Sequence, residues 1–128
     1  METVDTLMGD PLSQMARHRI IPVFMAIKGP KGSANRVAIP FKGAHIELLQ
    51  ENLRQALQSI PPYNRMIFVL SYGLYSGIAL TERDVGRLTG IHKTHIANCR
   101  RRTLEWLREP YRVEILCNGL KIQPQSTE

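Results

Sequence analysis

The chain has 128 residues, enough for one domain around one modest core, and its 17 Lys/Arg against 11 Asp/Glu give a formal charge of +6 and a pI of about 9.7. Two cysteines, Cys99 and Cys117, are too few for a disulfide framework and fit a reducing compartment. The opening METVDTLMGDPL lacks the apolar core of a signal peptide and no apolar run approaches bilayer length, so a cytoplasmic protein with no membrane partner is expected.

At the N-terminus, Asp10 and Pro11 suit the cap and first position of a short helix from Pro11 to His18. Two apolar runs follow, Ile20 to Ile27 and Arg36 to Phe41, around the loop Gly29-Pro30-Lys31-Gly32-Ser33-Ala34-Asn35. They fit a small β-hairpin, with Pro22 and Pro40 confining the strands to an edge, or an extended arm that orders on a partner. Residues 1–43 are therefore taken as an arm. Lys28, Lys31, Arg36 and Lys42 in this stretch have no acid among them.

From Ala44 to Ser59 the apolar residues Ile46, Leu49, Leu53 and Leu57 recur at helical spacing, with Glu47, Gln50, Glu51 and Arg54 opposite. Pro61 stops that helix, and a more apolar one runs from Pro62 to Tyr72 and ends at Gly73. Thr81 can cap a third helix by accepting from the Asp84 N–H, with the Asp84 carboxylate reaching back as in a capping box. Val85 and Leu88 give that helix an inner face, Gly90 suits a left-handed C-terminus, and Ile91 fills the corner. A long helix then runs from His92 onward. Ile96, Cys99, Thr103 and Leu107 form its inner stripe, while Lys93, Thr94, Ala97, Asn98 and Arg101 point outward. Between Ile91 and Arg112 six Lys/Arg face only Glu105 and Glu109, a local balance of +4. This layout is that of a helix-turn-helix with a basic outer face, and duplex DNA is the economical partner. Residues 44–112 form this domain, and 113–128 are a tail whose apolar residues Val113, Ile115, Leu116 and Leu120 can fold back as a further helix. The fold class expected is mainly α.

Other chemistry finds little support. His95 and Cys99 are four apart on one helix, but Cys99 belongs to the buried stripe, so no metal and no cofactor is expected. No nucleophile–base pair or paired carboxylates occur, and Gly29-Pro30-Lys31-Gly32-Ser33 lacks the Walker spacing, so an enzyme is not expected.

The stretch Ile60-Pro61-Pro62, Arg65, Ile67-Phe68, Leu70, Tyr72-Gly73-Leu74, Gly77 and Leu80-Thr81 resembles, without a gap, the hinge of domain 4 of the primary sigma factors of the sigma-70 family. Val85 to Ile91 is similar to that family's turn, and the helix ending Leu104-Glu105-Trp106-Leu107-Arg108 to its recognition helix. The likeness covers about residues 44–108. It implies that Lys93, Thr94 and Asn98 read bases. Phosphate contacts are expected at His92, His95, Arg100, Arg101 and Arg102, with Ala97 at a position where the family usually carries Arg. Thr94 stands where the family has an acid and Asn98 where it has Gln, so an altered promoter preference is expected. The resemblance also implies a contact with the flap of the large RNA polymerase subunit, beside or in place of the host sigma factor, through Leu49, Leu53, Tyr72 and Tyr75. Residues 1–43 are too short and too unlike a promoter-melting domain for a full sigma factor. A small phage-type or mobile-element regulator is the leading expectation. The alternatives are a polymerase-bound antitermination factor of the phage Q type and a simple dimeric repressor.

Overall fold

The computed structural model describes residues 15–30, 32, 34, 36–39 and 45–120, and is helical throughout its regular elements. After a 3-10 turn at Arg17–Arg19, the helices are α1 (Ile20–Lys28), α2 (Ile46–Gln58), α3 (Pro62–Tyr72), α4 (Glu82–Thr89), α5 (Lys93–Leu107) and α6 (Pro110–Leu116). No strand occurs among the described residues. Residues 11–14 of the expected Pro11–His18 helix lie outside them, and of the other four only Arg17 and His18 are helical, in the 3-10 turn.

The first run of the expected hairpin is instead α1, a correction with a clear cause. Ile20, Val23, Phe24 and Ile27 recur at three- and four-residue spacing and are all fully buried, whereas a strand would have buried alternate residues. Pro22 does not oppose this, because it sits in the first turn, where its missing N–H has no intrahelical partner to lose. The other end of α1 is held from a distance. Arg108 donates from Nε to Ile27 O and from Nη2 to Ala26 O, each at 2.8 Å, so carbonyls left open at the helix C-terminus are satisfied. The chain beyond α1 stays close: Val37 N donates to Lys28 O at 3.0 Å, and Ile39 is buried.

α2 places Leu49, Leu53, Ala56 and Leu57 in the same core. Its buried Asn52 donates from Nδ2 to Leu116 O at 2.9 Å and to Asn118 O at 2.8 Å, which ties α2 to the end of α6. The apolar residues after Pro110 do fold back: Pro110 opens α6, and Leu116 and Leu120 are buried. Arg112 is buried as well. It donates from Nε to Ser59 Oγ at 2.8 Å, pairs with Glu109 and lies over the Tyr111 ring.

α3 ends at Gly73, whose φ is 66° and whose hypothetical Cβ would lie 2.4 Å from the Ile78 carbonyl carbon. Glycine is required there both for the left-handed turn and for the close approach of the returning loop. The segment before α1 fastens this loop: Ala16 N donates to Leu74 O, Arg19 Nε to Tyr72 O at 2.9 Å and His18 Nε2 to Gly77 O at 3.1 Å.

Two apolar clusters result. The larger gathers α1, α2, Ile60, Phe68, Leu74, Leu107, Leu116 and Leu120. The smaller consists of Ile67, Val85, Ile96 and Cys99, with Leu70, Leu80 and Ile91 packed against it. α5 spans both, its first half on the small cluster and its last turn in the large one.

Candidate nucleic-acid interface

The corner between α4 and α5 is built from local hydrogen bonds. Thr81 Oγ1 accepts from Asp84 N at 3.0 Å, capping α4, and Glu82 and Asp84 place negative charge in its first turn. At the far end Gly90 takes φ 78°. Thr89 Oγ1 donates to Val85 O at 2.7 Å and accepts from Ile91 N at 3.2 Å. His92 then caps α5, its Nδ1 accepting from Thr94 N at 3.1 Å. The capping imidazole and the threonine clasp fix where α5 starts, so its first turns project in a set direction.

One expected inner residue points the other way. Val85 is fully buried, but Leu88 is 65% exposed. On so short a helix the inner stripe is narrow, and the position one residue further on, Thr89, takes the inward place with its hydroxyl on the backbone.

α5 has the two faces expected of it. Ile96, Cys99, Thr103 and Leu107 are buried, and the Thr103 hydroxyl is satisfied by Cys99 O at 2.9 Å. Burial pushes the Cys99 thiol above its usual range, only partly offset by Arg102. Lys93, Thr94, His95, Asn98, Arg101 and Arg102 are exposed, and Ala97 is half-buried. Asn98 Oδ1 accepts from Arg101 Nη2 at 3.1 Å, and Arg101 Nη1 lies 3.2 Å from Glu105. Such exposed pairs hold weakly, about 0.3–0.5 kcal/mol for an i,i+4 pair, so both groups can exchange them for a ligand at small cost.

The remaining cations divide. Arg100 Nη2 is bonded to Glu82 at 2.9 Å, bracing α5 against α4. Arg108 and Arg112 turn inward as clamps of α1 and of the α2–α3 junction, so part of the local charge excess serves packing and not the outer face. Sequence spacing did not reveal this, because the partners lie up to 82 positions away.

Cys99 is buried, and the His95 imidazole lies 5.8 Å, centroid to centroid, from the Tyr63 ring. Among the described residues no three His, Cys, Asp or Glu side chains gather as a metal site. No helix among them is long and apolar enough to cross a membrane.

The expected polymerase-contact set breaks apart. Leu49 and Leu53 are fully buried beneath the surface of the large cluster, and neither can dock on anything in this fold. They are corrected to core residues: the apolar stripe of α2 is covered by the chain's own α1 and α6. Tyr72 is half-buried against Phe68, ring centroids 4.8 Å apart, and burial raises its hydroxyl above the usual range. Tyr75 is exposed, as is Ile78 in the same loop. Ile78 was not singled out by spacing, since it lies in no periodic segment.

No protein-family model matches the chain, and no solved structure matches it. Over 69 residues it is 32% identical to the RNA polymerase sigma factor SigA of Nostoc sp. (strain PCC 7120), a stretch that is 54% of this chain and 18% of that protein. The chain thus spans less than a fifth of the length of this curated relative.

Proposed function

We propose that the protein is a DNA-binding transcription regulator in which α4, the Gly90 corner and α5 act as a helix-turn-helix of the sigma region 4 kind. α5 is its recognition helix. The observation that carries this is the two-faced character of α5. It has one stripe sunk in the core, the opposite one presents Lys93, Thr94, Asn98 and Arg101 to solvent, and its start is fixed by the His92 cap. A helix of 15 residues held this way can place its first turns in the major groove, where Asn pairs with adenine and Lys donates to guanine, while Arg101 and Arg102 reach phosphate. The stretch shared with a sigma factor supports a role at promoters. No catalytic step is assigned.

A contact with RNA polymerase is the second part of the proposal. With Leu49 and Leu53 buried, its surface shifts to the exposed loop residues Tyr75 and Ile78, on the far side of the Gly73 turn. The test is paired: gel shift on a selected duplex, and co-purification with core RNA polymerase with and without that duplex. DNA binding together with co-purification, the latter lost in Tyr75→Ala/Ile78→Asp while the gel shift is retained, is the expected result. A protein that binds DNA and silences a promoter yet never co-purifies with polymerase would be a repressor by occupancy. One that stays on elongating polymerase would be an antitermination factor.

A further inference from the structure

One flank of α5 runs between the buried stripe and the outward one, sharing Asn98 with the latter. His95, Asn98, Arg102 and Trp106 line it at three- and four-residue spacing, and across a groove of about 360 Å³ it faces Tyr63 and Asn64 from the start of α3, with Cys99 at the floor. Three features set this groove apart. It has three flat rings: Tyr63, 45% exposed, lies 5.8 Å from His95 with the rings tilted by 44°, and Trp106 forms the far end. It has a planar cation, Arg102, whose guanidinium carbon stands 5.9 Å from the Trp106 ring centroid. It also has no acid among its described lining residues, whereas two other open clefts, one at Arg36 and Arg108 and one at Tyr111, include Glu105 and Glu114.

Rings for stacking, an unopposed guanidinium for phosphate, and the amides of Asn64 and Asn98 for base edges are the groups a single-stranded nucleic acid needs. We infer that this groove holds an unpaired DNA nucleotide, its base laid against Tyr63 and His95 and its phosphate at Arg102. DNA is the source to which the geometry points, because Asn98 belongs at once to this groove and to the outward face of α5. The inference rests on the proposed duplex contact and adds a second, single-strand contact beside it.

Trp106 is the chain's one tryptophan, and since it lines the groove while packing against the large cluster, its emission is read together with an unchanged thermal melt. The experiment titrates the full chain with single-stranded dT12, with U12 and with a blunt random duplex. Trp106 emission and fluorescence anisotropy of the labelled strands are recorded, for the wild type and Tyr63→Ala. The expected result is saturable quenching by dT12 and about a tenfold loss of dT12 affinity in Tyr63→Ala, the scale of one lost base–aromatic stack, with duplex affinity changed less than twofold. Tyr63 is exposed, so the variant keeps the core, and an unchanged thermal melt verifies it. Duplex binding without dT12 quenching, equal losses on duplex and single strand, or a preference for U12 over dT12 would each overturn the inference while leaving the helix-turn-helix proposal standing. Absence of binding to every strand would overturn both.

Discussion

The two apolar clusters are made by different kinds of sequence. The small one under the α4–α5 corner draws all its members from residues 67–99, and its geometry is set by short-range bonds: Asp84 to Thr81, Ile91 to Thr89 and Thr94 to His92. The large one joins residues from Met15 to Leu120, and its ties are long: Arg108 to α1, Asn52 to α6, Arg112 to Ser59. The contrast shows a division of labour. The corner sets where α5 points, and the large cluster sets whether there is a rigid body for it to point from.

The substitution with the largest expected effect lies in the large cluster. Leu49→Glu would put a charge at a fully buried apolar site, and should leave the chain unfolded by circular dichroism. If the variant melts like the wild type, Leu49 is not core and the docking role first expected of it returns. Ile96→Ala in the small cluster should cost about 2–5 kcal/mol, with thermal melting still cooperative. A cost below 0.5 kcal/mol would place the α5 stripe on the wrong face.

Smaller again is the cap. Thr81→Ala removes the acceptor for Asp84 N and should cost about 1 kcal/mol, read in a denaturant titration. Hydrogen exchange would show whether the loosening is confined to α4, as separate roles for the two clusters require, or spreads through α1 and α2.

The smallest effect is one of pH on the surface of α2. Hydrogen bonds from Arg54, and then from Gln55, hold the Glu51 carboxyl down at about 2 from its ordinary 4.5. A depressed carboxylate adds stability above its unfolded value and gives it up as pH falls through the folded one. The stability difference between wild type and Glu51→Gln should therefore shrink as pH drops from 4.5 towards 2. Because Glu51 is exposed the difference is small throughout, and it should fade with added salt.

The same contrast explains how much was legible in the sequence. Thr81, Gly90, Ile91 and the Ile96–Cys99–Thr103–Leu107 stripe carry their meaning within a few residues, and the corner and the outward face of α5 follow from them. α1 was hidden because an eight-residue apolar run fits a strand or a buried helix. What decides it is the Arg108 clamp and the burial of Phe24, both set by residues far along the chain. Leu49 and Leu53 were misplaced for a related reason: an apolar stripe looks the same whether a partner or the chain's own helices cover it. The Tyr63–Trp106 groove was invisible because two helices 30 or more positions apart build it, and neither half carries a motif.

The central claim, that α5 reads DNA with its outer face, is tested most directly by comparing Asn98→Ala and Arg101→Ala on a selected duplex and on random DNA across a salt series. Asn98→Ala should lose roughly 1–3 kcal/mol on the selected duplex only, through relaxed preference at one base position. Arg101→Ala should weaken both duplexes alike and reduce the slope of log affinity against log salt by about one. Equal losses on both duplexes for both variants, with the salt slope unchanged, would contradict it.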